Sequence, residues 1–168
     1  MRLFVAVLPD EVTTERLREA CGGWPRPEVA GVRWTSPDQW HVTLRFLGSV
    51  NLRKAASALD GLASVVAEVR LGPATTLLGR GVLVVPVGGV DDLAGAVAAA
   101  TVDLGGHLEN RPFTGHLTLA RSRDRIPLGW EGRPVSGAFE VTEVCLLRSE
   151  TLPEGAHYEV LARWPLSS

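Results

Sequence analysis

Apolar and polar positions along the 168-residue chain switch between two periods, and each switch marks an element. Leu3 to Leu8 is an unbroken apolar run stopped by Pro9, which predicts a buried central strand. Pro9-Asp10 then opens a helix through about Cys21, with Leu17 and Ala20 on its apolar side, and Gly22-Gly23 ends it. Val32 to Trp34 predicts a short strand. Trp40 to Leu47 predicts a longer one, closed by Gly48. Asn51 can cap a helix over residues 52–69, where Ala55, Leu59, Leu62 and Val66 recur at helical spacing.

The second half repeats the style. Ala74 to Leu78 and Val82 to Val87 predict strands joined by Gly79-Arg80-Gly81, a hairpin signal. Asp91-Asp92 lead into an alanine-rich helix ending near Gly105-Gly106, and acidic residues suit that N-terminus through the helix dipole. His116 to Ala120 predicts a strand and residues 121–133 a polar loop. Phe139 to Leu147 and Tyr158 to Trp164 predict the last two strands. Hairpins mixed with isolated helices point to an α+β fold class rather than a strictly alternating α/β one. No low-complexity linker interrupts the chain, so residues 1–168 read as one domain.

Composition narrows the function classes. Hydrophobic residues make up 45% of the chain and charged residues 21%, which suits a globular protein with a substantial core. The formal net charge of −2 argues against coating long nucleic acid, though not against gripping the end of a strand. Positive charge is nearly all arginine, with Lys54 as the only lysine. Arginine suits bidentate contact with phosphate. The two cysteines, Cys21 and Cys145, form no C-x-x-C pair, so reduced thiols and a cytoplasmic setting are expected. The N-terminal apolar run is too short for a signal sequence or a membrane span, and no membrane association is expected.

One internal echo carries chemistry. Trp40-His41-Val42-Thr43-Leu44-Arg45 resembles Gly115-His116-Leu117-Thr118-Leu119-Ala120, with the histidines 75 residues apart (116 − 41). The repeat predicts two related lobes, each giving one strand to a shared cleft. In a strand, alternate side chains share a face. His41 and Thr43 therefore point one way, and Val42, Leu44 and Phe46 the other. His116 and Thr118 likewise oppose Leu117 and Leu119. Two such strands facing each other would gather two imidazoles and two hydroxyls.

That set suits attack on a phosphodiester. Histidine changes charge near neutral pH, so one ring can take a proton from water while the other gives one to the leaving oxygen. The threonines can donate to non-bridging phosphate oxygens. A lone His-x-Thr in a strand is usually incidental, since threonine favours strands. Two copies with the same apolar alternation, using two of only four histidines, are not. A metal site is unsupported, since the chain has no H-E-x-x-H and threonine is a poor zinc ligand. Neither a phosphate-binding P-loop, a dinucleotide fingerprint nor a G-x-S-x-G elbow is present. No metal and no cofactor are expected.

The chain resembles the 2H phosphoesterase superfamily through His41-Val42-Thr43-Leu44 and His116-Leu117-Thr118-Leu119. Within it, the match is to the RNA 2′,3′-cyclic phosphodiesterase family, also known as 2′-5′ RNA ligases. Met1 to Ala6, Arg33-Trp34, Arg45 to Gly48, Arg111-Pro112-Phe113, Ala120-Arg121 and Tyr158 to Leu161 agree with the family's flanking segments. The resemblance implies a bilobal fold, with two antiparallel sheets and flanking helices around a central cleft. It implies hydrolysis of a terminal 2′,3′-cyclic phosphate to a 2′-phosphate, with His41 as general acid and His116 as general base. The segment between the motifs is shorter than in typical members.

Further candidates follow. Arg121 is a candidate phosphate ligand, yet strict alternation from His116 puts it on the opposite face, so it needs a bulge or a strand end to reach the cleft. Arg45 shares the parity of His41 and Thr43 and can point away at the cleft rim. Arg123, Arg125 and Arg133 could guide RNA, against the plainer reading of a solvated loop. Tyr158 or Trp34 could stack on a base, with core packing as the plainer alternative. His157 is expected to be exposed and His107 to sit in a loop. The expected partners are RNA with a 2′,3′-cyclic phosphate end or small nucleoside cyclic phosphates, bound by a monomer. Two rival functions are an RNA-end-binding module with little turnover, and 2′-5′ ligation as the reverse reaction in the same site.

Overall fold

The structure, a computed structural model, describes residues 2–63, 66–105 and 112–166. Its elements in chain order are β1 (Arg2–Val7), α1 (Glu11–Gly22), β2 (Val32–Trp34), β3 (Val42–Ser49), α2 (Leu52–Asp60), β4 (Glu68–Leu71), β5 (Thr76–Leu78), β6 (Val82–Gly88), α3 (Asp91–Ala100), β7 (His116–Ser122), β8 (Gly137–Glu140), β9 (Glu143–Leu152) and β10 (Gly155–Pro165). A single 3-10 turn over Pro37–Gln39 precedes β3.

The strands form two antiparallel sheets. One has the order β10-β9-β1-β3, the other β2-β7-β6-β4-β8 with β5 paired on β6. The two lobes are therefore interleaved in sequence. β2 from the first half lies in the second sheet, and β9 and β10 from the end of the chain return to the first. The expected repeat holds at one point: one His-x-Thr segment runs into β3 of one sheet, with His41 just before the strand, the other opens β7 of the other sheet, and these two strands come into contact.

Strand β1 sits between β3 and β9, which is why its sequence is apolar on both faces. Leu3, Val5 and Val7 join the main core, which runs through both sheets and takes in Leu17, Leu59, Leu83, Leu93, Val97, Leu117 and Leu146. Phe4 and Ala6 face the other way and pack with Cys145 and Leu147. α1 packs against β8, α3 against β3, and α2 against α3 and β10. Asp10 caps α1 by accepting from the Thr13 amide at 2.8 Å, and Asn51 caps α2 by accepting from Lys54 at 3.1 Å.

Two expectations are corrected. The helix expected over residues 52–69 stops at Asp60, and residues 68–71 form β4 instead. Gly61 ends the helix, and beyond it Val69 and Leu71 are buried while Glu68 and Arg70 are exposed, a period of two that fits a strand between β6 and β8. Val66, counted as helical core, is 59% exposed. The single strand expected from Phe139 to Leu147 is two strands, β8 and β9, in different sheets.

Candidate active site

The approach to the first histidine is built by a short segment that crosses between the sheets. Thr35 follows β2 and is fixed to β7: its amide donates to Leu119 O at 2.8 Å. Its hydroxyl lies 2.9 Å from Thr118 O and 3.0 Å from Leu119 O. The same hydroxyl accepts from the indole Nε1 of the buried Trp40 at 3.0 Å. Gln39 sits at the end of the 3-10 turn, and its side-chain amide donates to Ala156 O at 2.7 Å, reaching the β9–β10 turn. The residues just before His41 are thus tied to the second motif strand and to the hairpin.

Each imidazole is held the same way. His41 Nδ1 is 2.8 Å from Gln39 O, and His116 Nδ1 is 2.8 Å from Thr114 O. A carbonyl oxygen only accepts, so in both rings Nδ1 carries a hydrogen and donates it to the carbonyl two residues back. That fixes the tautomer and leaves Nε2 as the nitrogen free to take or give a proton. Gly115 is required beside His116: a Cβ there would stand 2.4 Å from Val87 O. His41, Thr43, His116 and Thr118 are all half-buried, while Val42, Leu44, Leu117 and Leu119 between and after them are buried. The predicted division of faces holds over both His-x-Thr segments.

Beyond the threonines the alternation breaks, in both strands at the same place. Val5 pairs with Arg45 but the next residue, Ala6, pairs with Thr43, so Leu44 is an extra residue in β3. Leu83 pairs with Ala120 but Val84 pairs with Thr118, so Leu119 is extra in β7. Each is a β-bulge at the last residue of the four-residue motif. A bulge flips the parity of everything after it. This corrects two expectations. Arg45 does not reach the cleft rim: it is 8% exposed and turns into the core, where Nη1 donates to Thr101 O and, at 2.5 Å, to Thr101 Oγ1, and Nη2 donates to Leu104 O at 2.9 Å. Phe46, expected on the apolar face with Val42, is 60% exposed and stacks on Phe4 with ring centroids 5.5 Å apart. In β7 the bulge supplies what Arg121 needed. Leu119 and Ala120 are both buried and Arg121 is exposed, on the side of His116 and Thr118.

His41 stands between two rings, 5.0 Å from the Phe4 centroid and 5.0 Å from that of Tyr158. Burial in this box holds its pKa below the usual histidine range. Nearby positive charge on Arg121 and His116 pushes the same way, and the bond to Gln39 pushes against it. The electrostatic link also means that His41, His116 and Arg121 share one neighbourhood. Tyr158 is therefore a wall of the His41 site, half-buried. Trp34 stacks on Trp130, with centroids 5.0 Å apart, and packs within the protein. His157 is exposed, as expected. Arg133 donates to Pro25 O at 2.9 Å, away from the histidines, and Arg125 is exposed. His107 and Arg111 lie outside the described residues.

The sulfur chemistry is quiet. Cys21 and Cys145 are free and buried, and burial pushes each thiol up to about 11, so neither is a thiolate at neutral pH. Among the described residues no group of three or more His, Cys, Asp or Glu side chains could hold a metal ion. None of the helices among those residues is long and apolar enough to cross a membrane. Phe46, Thr35 and Gln39 escaped the sequence reading. The signal for Phe46, an aromatic five residues after a motif histidine, acquires meaning only once the bulge is known.

The chain is similar to known proteins over nearly its whole length. A sequence model of the family described as LigT like Phosphoesterase matches residues 7–75, a span that holds the first His-x-Thr and stops before the second. The chain is 30% identical to the RNA 2′,3′-cyclic phosphodiesterase of Escherichia coli (strain K12), over 99% of this chain and 97% of that protein. It is 28% identical to the RNA 2′,3′-cyclic phosphodiesterase of Geobacillus stearothermophilus over 79% of this chain, and spans about half, 47%, of that relative's length. The structure of E. coli LigT complexed with 3′-AMP is similar at a TM-score of 0.75 and 26% identity, covering 99% of this chain and 98% of that one.

Proposed function

The chain belongs to the LigT-like phosphoesterase family, the family of the RNA 2′,3′-cyclic phosphodiesterases, and from that premise we propose that it hydrolyses a terminal 2′,3′-cyclic phosphate on RNA to a 2′-phosphate. The observation that carries the chemistry is the matched pair of imidazoles, each with Nδ1–H tied to the carbonyl two residues back and Nε2 left for proton transfer.

In this reading His116 Nε2 takes a proton from water as the water oxygen attacks phosphorus. The bond from phosphorus to the 3′ oxygen breaks, and His41 Nε2 gives that oxygen its proton. The Thr43 and Thr118 hydroxyls donate to the non-bridging oxygens, and the Arg121 guanidinium meets their charge. The free enzyme disfavours a proton on His41, through burial first and then through Arg121 and His116. A bound phosphate reverses that field, so the substrate itself equips His41 to act as acid. The exposed ring of Phe46, backed by Phe4, offers a face to the terminal base.

The test is a cyclic-ended oligonucleotide with 31P NMR of the product. A 2′-phosphate is expected. Replacing His41 or His116 by Ala should slow turnover by about 10²–10⁴-fold, and the double replacement should lose less than the product of the two. Near-wild-type turnover in folded His116→Ala would remove the assigned base, and the same in His41→Ala the assigned acid. A protein that binds the end without turnover would be the binding module instead.

A further inference from the structure

An open groove of about 620 Å³ lies between the edge of the six-stranded sheet and the β9–β10 turn, and Arg33, Arg121 and Arg123 line it; it meets the motif strand β7 at Arg121. Its size is within the ordinary range of ligand sites. Arg33 and Arg121 are direct partners across the β2–β7 pair, so two guanidiniums stand opposite one another on one face of the sheet. Like charges in that position destabilise a sheet. Arg123 follows two residues on, all three arginines are exposed, and among the described residues no carboxylate stands within ion-pair distance of any of them. Arg33 also reaches across to the other sheet. It lies against Gly155, which has φ +128, and a Cβ there would sit 2.4 Å from its Nη1. Glycine at the hairpin turn lets a guanidinium from the other sheet lie across it.

A repulsive, carboxylate-free trio at the wall of a groove has one simple resolution, a row of anions. We propose that this groove is the track for the 5′ side of an RNA strand whose cyclic end sits at the histidines, so that this enzyme selects oligonucleotide ends over nucleoside cyclic phosphates. The inference rests on the function proposed above and adds the residues that make a strand a better substrate than a nucleoside. Arg121 joins the two regions, since it lines the groove and its charge reaches His41. The charge pattern also sets the direction. From Arg33 a second cavity of about 430 Å³ continues past Asp38 and Glu154. Those carboxylates repel phosphate, so the strand runs from Arg121 toward Arg33 and Arg123 and not into that cavity.

The experiment compares kcat/KM for a tetranucleotide ending in a 2′,3′-cyclic phosphate with kcat/KM for the matching nucleoside 2′,3′-cyclic phosphate, in the wild type and in the double variant Arg33→Gln/Arg123→Gln. Circular dichroism and the thermal midpoint report folding. Affinity for the same tetranucleotide with a plain 3′-phosphate is read by anisotropy across salt. The wild-type ratio should exceed about tenfold, and the double variant should lose most of it, because charge-assisted phosphate contacts are each worth about a factor of ten. The salt slope should fall in magnitude by about 1.4, the loss of two single-strand phosphate contacts. A wild-type ratio near one, or a ratio unmoved in the folded double variant, would overturn the track. If neither substrate is hydrolysed, the reading of the histidines fails and the track is judged on binding alone: a slope unchanged by the two substitutions then refutes it, and a reduced slope supports it.

Discussion

At the scale of single residues, the two imidazoles share a tether and differ in surroundings. His41 is walled by Phe4 and Tyr158, and its charged form is disfavoured first by burial and then by Arg121 and His116. In its proposed role as proton donor, His41 gives up its proton at a lower pH than a free histidine would. Binding a phosphate replaces that repulsion with attraction. The limb of the pH profile above which the acid is lost should therefore stand at higher pH in kcat, which reports the bound state, than in kcat/KM, which reports the free enzyme. The limbs belong to the coupled pair, so the comparison between the two profiles carries the assignment. A limb at the same pH in both, or lower in kcat, would contradict a substrate-equipped His41. The same shift has a consequence for folding. A histidine whose folded pKa lies below its unfolded value near 6.5 stabilises the fold above that pH and loses the contribution as pH falls through the folded value. The wild type should lose more stability than His41→Gln on acidification from pH 7 to 5, read as chemical unfolding midpoints.

At the scale of elements, the bulges decide what each motif strand offers. The extra Leu44 sends Arg45 inward, where its guanidinium caps the carbonyl end of α3 at Thr101 and Leu104, and turns Phe46 outward. Positive charge is favoured at a helix C-terminus. Arg45→Met keeps the bulk of the side chain but removes three hydrogen bonds, two of them to the buried Thr101 and one to the half-buried Leu104. It should cost about 2–3 kcal/mol, which lowers the thermal midpoint by roughly 4–12 °C in a domain of this size. An unchanged midpoint would mean that water or a shift of α3 satisfies those groups. The motif strands were legible in the sequence because alternation is local: Val42 and Leu117 are buried and the histidines and threonines half-buried. The bulges were not, since an unpaired residue is defined by the register of the neighbouring strand, and β1 and β6 lie far away in sequence. The same cause hid β4. Leu62 and Val66 extend the helical spacing of α2, while Val69 and Leu71 acquire their burial only by pairing with β6 and β8. It also hid the interleaving of the lobes, because β9 and β10 find their sheet through β1 at the opposite end of the chain.

At the scale of the whole molecule, a net charge of −2 and three guanidiniums on one groove, without an ion pair among the described residues, fit the proposal of a protein that holds an end and releases the rest. Long-range attraction to a polyanion is weak, so affinity has to come from contacts that a short strand already fills. Cyclic-ended oligonucleotides of two, four, eight and sixteen residues separate this from general RNA binding. kcat/KM should rise from the nucleoside cyclic phosphate to about four nucleotides, the length that brings phosphates to all three arginines, and stay level beyond. The logarithmic salt slope of affinity should settle near −2, about 0.7 for each of three phosphate contacts, and be the same for eight and sixteen residues. A value that keeps rising with length, together with a slope steeper than about −4 and equal affinity for strands lacking the cyclic end, would describe a surface that coats RNA. That outcome would favour the binding module over the phosphodiesterase, because an enzyme whose grip is confined to one groove and two histidines gains nothing from nucleotides it cannot touch.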